Sequence, residues 1–498
     1  MGTSVTYDGR TAPTGSSQGL IMLLATALLA FSSFICALAL TPLIRNLFLK
    51  LGLVDHPTGG RKLHSTPIPR VGGISIVASI AISIGLTAAL GVWDPFFYNP
   101  AIQFLIRLLP AAAIIFLVGL LDDLITLKPW QKVLGELIGA GLAYASGLRV
   151  MGIAGYTTES WLSLPLTLGW LLLCTNAFNL IDGVDGLAAG AGLFATLTIL
   201  LAGILGKNSA LVVAAVPLGA ALLGFLRYNF NPATVFLGDS GSLLLGFLLG
   251  CFGVIWSFKA ATVFGMVAPL MALFVPILDV TLSIARRFLR GQPIFGADRG
   301  HMHHRLLDRG MTTRGVVFLL YGACAFGAVL SLIQSVQQNQ YGGFVILLFC
   351  AGTWIGIQHL GYAEFTAARH MVMGGTLQRM IDMNVQLREL ESALESCASF
   401  DEWWERLCGQ CRSFGFAAAE LNFNGQIYEE KFATVSHRCW SVVIPMADGA
   451  SLHLSVPPDA AQTATVIMPL VDLISRKLPE RVHTVHYDPV VAVAFGGR

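Results

Sequence analysis

The sequence predicts an all-α polytopic membrane bundle of about eleven transmembrane helices, followed by a C-terminal soluble α/β domain. Three observations carry that prediction. Of 498 residues, 55% are hydrophobic and only 12% are charged, about half the charged share of a typical soluble domain. The mean hydropathy is +0.69. The acids are also unevenly placed: residues 1–360 hold 13 Asp and Glu, and the last 138 residues hold 16. These values exclude intrinsic disorder and argue against an ordinary soluble enzyme. A net charge of +2 gives no electrostatic reason to expect a nucleic-acid partner.

A helix of about 20 apolar residues crosses the bilayer core. Such runs occupy 19–42, 73–92, 101–121, 131–147, 162–179, 187–206, 209–227, 241–258, 262–284, 315–336 and 342–360. The first lacks a basic leader and a small-residue cleavage site, so it reads as a helix rather than a signal peptide. The fourth is short and contains Glu136. Loops 43–72, 122–132, 179–186, 227–240 and 285–314 carry 15 Lys and Arg, against four on the other side. The positive-inside rule makes the first set cytoplasmic. Residues 1–18 are then extracytoplasmic, 19–360 the membrane domain, 361–398 a linker helix, and 399–498 a cytoplasmic module. Within the tail, 376–398 and 400–414 read as amphipathic helices. Residues 416–423, 426–433, 438–446 and 450–455 alternate like strands, and 459–478 reads as a further helix. That layout is similar to GAF-type sensory domains. The nine cysteines read as reduced structural thiols, because Cys408 and Cys411 lack a second pair at zinc spacing.

Eight of the 13 membrane-part acids fall in the cytoplasmic loops or at their helix ends. Ionisable groups at membrane depth are costly and mark function. The first loop runs from Asp55 to Gly73, and in it Lys62 and His64 are candidates to hold phosphate oxygens. An ordinary positive-inside loop is the alternative. Asp122 and Asp123 repel one another unless a cation or a proton intervenes, and Lys132 follows across a Pro129 turn. Asn176, Asn179, Asp182 and Asp185 recur every three residues, neighbours along one helix ridge. They end at Gly183 and Gly186, in a pattern suited to a hard cation or sugar-phosphate hydroxyls. Asp239 lies in a Gly-flanked turn before a helix whose N-terminus favours anions. It is a candidate Mg²⁺ ligand, with a plain N-cap as alternative. Phe236 is placed to stack on a base, or to pack in the core. The last loop, 286–305, holds five arginines and three histidines. It reads as a phosphate and nucleotide site in preference to zinc. Hard-cation ligands and phosphate-binding bases on one face need a water-soluble diphosphate donor and a lipid acceptor. A transporter would instead place its acids along a midplane path.

The ordered motifs DHPTGGRKLHSTPIPRVGG, DDLITLKPWQK, NAFNLIDGVDGLAAG, NPATVFLGDSGS and DRGHMHHRLL resemble those of the polyprenyl-phosphate N-acetylhexosamine-1-phosphate transferases, glycosyltransferase family 4. The resemblance spans 19–360. It implies a multi-pass enzyme of the bacterial inner membrane that moves a sugar 1-phosphate from a UDP-sugar to undecaprenyl phosphate, releases UMP and requires Mg²⁺, with Mn²⁺ as a substitute. By motif position, Asp122, Asp123, Asp182 and Asp185 are its catalytic acids, and Asp239 with Asp182 its metal ligands. Lys62, His64, Lys132, Asn176, Asn179, Phe236, Arg299, His301, His303, His304 and Arg305 are its substrate-binding residues. The histidine motif is similar to that of the N-acetylglucosamine branch, and the donor expected is UDP-N-acetylglucosamine. The alternatives are a phospho-N-acetylmuramoyl-pentapeptide transferase and a non-catalytic sensor signalling through the tail. A homodimer and a ligand or partner for the C-terminal domain are left open.

Overall fold

A computed structural model describes residues 15–54, 67–91, 99–150, 152–153, 156–157, 160–257, 266–289, 300–336, 342–360, 376–397, 399–423, 426–433, 439–445, 451–457, 470 and 492–494. The chain divides into two compact units, Met1–Tyr362 and Ala363–Arg498.

The first unit is helical. Its helices are α1 (Gly15–Lys50), α2 (Gly72–Ala89), α3 (Pro100–Ile125), α4 (Pro129–Ala145), α5 (Ser160–Ile181), α6 (Leu187–Leu205), α7 (Ser209–Asn229), α8 (Gly238–Ser257), α9 (Val267–Ala272), α10 (Phe274–Leu289), α11 (Met302–Asp308), α12 (Thr313–Val336) and α13 (Gly342–Leu360). A two-residue hairpin, β1 (Gly152–Ile153) with β2 (Tyr156–Thr157), precedes α5. Among the described residues, nine helices are long and apolar enough to span a membrane. The other two predicted spans take different forms. The fourth is α4, only 17 residues long. It starts abruptly because Pro129 sits at the first helical position, where a missing N–H costs nothing, and the Gln131 side chain accepts the Lys128 N–H at 2.9 Å. The ninth is divided between α9 and α10. Pro276 has no N–H to offer the Ala272 carbonyl, and an interior proline breaks the ladder at that point.

Helix α8 is the axis of the bundle. Of its most apolar window, 89% is buried inside the protein, against 17% for α13. It packs on α2, α3, α5 and α6. Apolar side chains gain little by meeting each other in lipid, so such packing relies on small residues and polar ties. Trp170 on α5 donates to the Gly250 carbonyl of α8 at 3.0 Å. Ser83 on α2 donates to the Leu29 carbonyl of α1 at 2.9 Å.

The second unit has helices α14 (Thr376–Ser396) and α15 (Phe400–Ser413) and a five-stranded antiparallel sheet. Its strands are β3 (Ala418–Phe423), β4 (Gln426–Lys431), β5 (Trp440–Pro445), β6 (Ser451–Val456) and β7 (Ala492–Ala494), in the order β4-β3-β6-β5-β7. Along β6, buried Leu452, Leu454 and Val456 alternate with half-buried Ser451, His453 and Ser455, as one covered sheet face requires. Leu407, Cys408 and Cys411 of α15 join that core. The four strands expected between 416 and 455 match β3 to β6. Of the helix expected at 459–478, only residue 470 is described; the rest lies outside the described residues, as do 1–14 and the linker 361–375.

Gly238 starts α8 with φ of +74°. A Cβ there would stand 2.8 Å from Asp123 Oδ2, and the left-handed backbone adds about 1–2 kcal/mol for an L-residue. Gly238→Ala is therefore expected to lower the thermal unfolding temperature of the detergent-solubilised protein by several degrees, while an alanine replacement of the unencumbered Gly356, inside α13, does not lower it.

Candidate active site

The C-terminal end of α3, the start of α4, the end of α5 and the start of α8 meet at one end of the bundle. The chain segment before α2 joins them. Arg70 and Phe236 form a parallel bridge, the Phe236 N–H donates to the Pro69 carbonyl at 3.0 Å, and the Gly72 N–H donates to the Phe236 carbonyl at 3.0 Å. Phe236 itself is half-buried.

Lys132 is the electrostatic centre. Its ammonium donates to Asp122 Oδ2 at 2.9 Å and also to Asp239 Oδ2. Asp122, Lys132 and Asp239 are 13%, 15% and 26% exposed, enough for a ligand to reach them. The other oxygen of Asp122 accepts the Leu127 N–H at 2.6 Å and so ends α3. Asp123 points elsewhere. Its two oxygens accept the Asp239 N–H at 2.8 Å and the Ser240 N–H at 2.9 Å. A carboxylate from α3 thus caps the first turn of α8, where negative charge is favoured by free N–H groups and the helix dipole. The adjacent acids therefore have different jobs: Asp122 faces the lysine, and Asp123 sets the position of Asp239.

The third motif closes the floor. Asn179 Oδ1 accepts from Ser242 on α8 at 2.8 Å. Asn176 donates to Glu136 Oε2 of α4 at 2.5 Å. Asp182 lies just past α5. Burial pushes its carboxyl well above the usual range, aided by the Asp239, Asp123 and Asp185 charges and opposed by Arg70. Asp185 Oδ2 accepts from the Asn231 side chain and the Ala233 N–H, each at 3.0 Å, which ties the DGVDG turn to the loop before α8. Tyr321 on α12 donates to the Gly186 carbonyl at 2.6 Å, and Arg314 donates to the Asn231 carbonyl at 3.0 Å.

The histidines come from α11. Asp279 on α10 is only 2% exposed. One of its oxygens accepts the Met302 N–H at 2.7 Å, and the other pairs with His301 Nδ1 at 2.9 Å. His301 and His303 stack at 5.7 Å, and His304 lies 4.4 Å from His303. His303 presses on the DGVDG turn: a Cβ at Gly183 would stand 2.6 Å from its Nε2. Arg305 donates at 3.5 Å to the Leu360 carbonyl, the C-terminal end of α13.

The structure therefore brings Asp122, Asp123, Lys132, Asn176, Asn179, Asp182, Asp185, Phe236, Asp239, His301, His303 and His304 to the motif end of one bundle, with Arg305 directed to α13. Lys62, His64 and Arg299 lie outside the described residues. Asp279 and Glu136 belong to the same network, although the motif reading gave them no role. Each is an acid inside an apolar run, and that alone was the available signal. Among the described residues, no three His, Cys, Asp or Glu converge as a metal cage. The donor set does fit Mg²⁺, which takes one or two carboxylates and keeps water and phosphate oxygens for its other positions.

A model of the family described as glycosyl transferase family 4 matches residues 105–257. The chain is 37% identical over 325 residues to the probable undecaprenyl-phosphate N-acetylglucosaminyl 1-phosphate transferase of Bacillus subtilis, covering 64% of this chain and 88% of that protein. It is 34% identical over 336 residues to the decaprenyl-phosphate N-acetylglucosaminephosphotransferase of Mycobacterium tuberculosis, covering 61% and 82%. It is 27% identical over 320 residues to the undecaprenyl-phosphate alpha-N-acetylglucosaminyl 1-phosphate transferase of Escherichia coli, covering 61% and 83%.

Two predictions follow from the geometry. Asp123→Ala is expected to cost about 1 kcal/mol as a lost helix cap, and to lower activity through Asp239; Asp123→Asn, which keeps one acceptor, recovers part of the thermal stability. The second concerns His303, which is 1% exposed. Burial pushes it down to about 3, with small contributions from His304 and His301 and against Asp279. It folds neutral, whereas the unfolded chain takes up a proton near pH 6.5. Its stabilising effect is complete above that pH and declines as pH falls towards 3, by about 2 kcal/mol at pH 5. Thermal unfolding at pH 7.5 and 5.0 should show that loss, and His303→Gln should reduce it.

Proposed function

This chain belongs to the polyprenyl-phosphate N-acetylhexosamine-1-phosphate transferases of glycosyl transferase family 4, and we propose that it moves N-acetylglucosamine 1-phosphate from UDP-N-acetylglucosamine to undecaprenyl phosphate. It is a membrane phosphoglycosyltransferase. The observation that carries the donor reading is the Lys132 ammonium between Asp122 and Asp239, with Asp182 beside them. A lysine among carboxylates at a water-accessible end of an apolar bundle supplies both signs of charge that a diphosphate site needs.

In this reading an oxygen of the lipid phosphate attacks the β-phosphorus of the donor. The bond from that phosphorus to the bridging oxygen breaks, and UMP leaves with the bridging oxygen. Asp122 orients the lipid phosphate and takes any proton it carries. Lys132 neutralises phosphate charge as the donor settles. Held at Asp239 and Asp182, Mg²⁺ would offset the diphosphate charge and polarise the bond that breaks. Phe236 is assigned to stack on uracil by motif position. Asn179 and Asp185 shape the sugar side. His301, oriented by Asp279, and neutral His303 donate hydrogen bonds to phosphate oxygens, joined by His304. Lys62, His64, Arg299 and Arg305 are assigned to the same phosphates by motif position. Direct attack is preferred to a carboxylate-bound intermediate because a phosphate monoester is already anionic. The excess of Lys and Arg in these loops supports a site on the cytoplasmic face of a bacterial inner membrane, at the first lipid-linked step of a cell-envelope polysaccharide. Nothing observed favours the muramoyl-pentapeptide or sensor alternatives.

Purified protein is expected to release UMP from UDP-N-acetylglucosamine only when both Mg²⁺ and polyprenyl phosphate are present. Asp239→Ala should lower that rate by about 10²-fold or more, as loss of a transition-state electrostatic contact does. Full activity in that variant would remove Asp239 from the metal site. A stoichiometric burst of UMP without lipid would replace direct attack by a covalent route, and a panel of UDP-sugars read by lipid-linked product identifies the donor.

A further inference from the structure

Glu136 is the acid that the reaction scheme leaves unused. It is 1% exposed, in an apolar stretch of α4. Its Oε2 accepts from Asn176 at 2.5 Å. Its Oε1 is buried and has no hydrogen-bond partner among the described residues. A buried carboxylate with an unsatisfied oxygen is costly, and a tie to Asn176 needs only one neutral acceptor. The carboxyl group therefore calls for its own explanation.

Lys132 supplies one. It stands four residues earlier on α4, so the two side chains share one helix face, and the electrostatic fields of Lys132, Asp122 and Asp239 reach Glu136. The Lys132 ammonium has three donors, two of them directed to Asp122 and Asp239. A divalent cation and an ammonium repel one another, so they are poor companions on a single Asp239 carboxylate. When Asp239 holds a cation, Lys132 needs another anion within the reach of a flexible four-carbon stem.

We propose that Glu136 is a positioning residue: the counter-ion to which Lys132 turns when a divalent cation takes Asp239. This rests on the reading of Asp239 as the metal ligand. Lys132 then alternates between Asp239 and Glu136 while staying bonded to Asp122. In one position it keeps Asp122 and Asp239 apart at the mouth of the site. In the other it yields Asp239 to the cation and stays close enough to meet the donor phosphates. Glu136 also carries Asn176, so the lysine's second position is fixed to the helix that bears Asn179 and leads to Asp182.

The test is Mn²⁺ binding to the full-length protein in detergent, followed by electron paramagnetic resonance without either substrate. Glu136→Gln keeps an acceptor for Asn176 but removes the charge. It is expected to weaken Mn²⁺ binding about tenfold, because Lys132 then stays on Asp239. Lys132→Met alone is expected to tighten binding, and in that background Glu136→Gln should have no further effect. An equal loss with and without Lys132, or no loss in either, overturns the proposal. Wild-type binding that is lost in Asp239→Asn but unmoved by Glu136→Gln overturns this proposal and leaves the metal assignment standing. No Mn²⁺ binding by the wild-type protein overturns both. Thermal unfolding without Mn²⁺ serves as the folding control, with Glu136→Gln expected to be at least as stable as wild type. Should that variant not fold, the Lys132→Met measurement decides alone: unchanged or weaker Mn²⁺ binding overturns the proposal.

Discussion

The site depends on a charge balance at the end of an apolar bundle. Asp122, Asp123, Asp182 and Asp239 come from three different helices or their ends, and isolated carboxylates in such surroundings would not stay ionised together. What holds them is a set of fixed donors. Lys132 bridges Asp122 and Asp239 and the first turn of α8 satisfies Asp123, whereas Asp182, whose burial the Arg70 charge only partly offsets, is pushed towards its neutral form. Removing the lysine would leave two acids facing each other across the α3–α8 contact, so the packing of those helices and the chemistry of the site share one interaction.

The donors also explain why the site lies at helix ends. A helix interior leaves no backbone group for a ligand, because every N–H and C=O is already paired. Helix termini leave four of each. The start of α8 offers N–H groups to Asp123, and the start of α11 offers one to Asp279. Each cap fixes the neighbouring functional residue, Asp239 in the first case and His301 in the second. The acids are positioned by backbone that would otherwise be unsatisfied in a low-dielectric setting, a device that orients side chains without further polar residues.

Much of this was legible in the sequence because charge is scarce there. In a chain with 12% charged residues, each acid at a run boundary stood out, and the motif strings at Asp122, Asp182 and Asp239 meet in space. What was not legible has physical reasons. The motif spacing could not tell Asp122 from Asp123, because which neighbour faces a lysine depends on how α8 docks against α3. Hydropathy counted 262–284 as one span because it averages over residues, whereas the break between α9 and α10 depends on a single missing N–H at Pro276. Glu136 and Asp279 were visible as acids within spans, but their partners, Asn176 and the α11 N-terminus, are distant in sequence. The strands of the C-terminal module were legible from alternation alone, since one covered face imposes a period of two.

Asp279 and Glu136 show a shared logic. Each is more buried than the acids of the reaction centre, and each touches a residue of the site rather than its open mouth. Asp279 uses both oxygens, so it acts as a fixed bracket for His301 and α11. Glu136 uses one, so its contact with Asn176 leaves an acceptor in reserve. A bracket suits a part that must not move, and a reserve acceptor suits a part that must. Among the site's polar groups, the histidines are held by stacking and capping, whereas Lys132 sits at the tip of a flexible stem between competing carboxylates. On the proposed reading, the two deep acids give rigidity to the histidine side and mobility to the lysine, as a site that has to admit a highly charged donor and release a charged product requires.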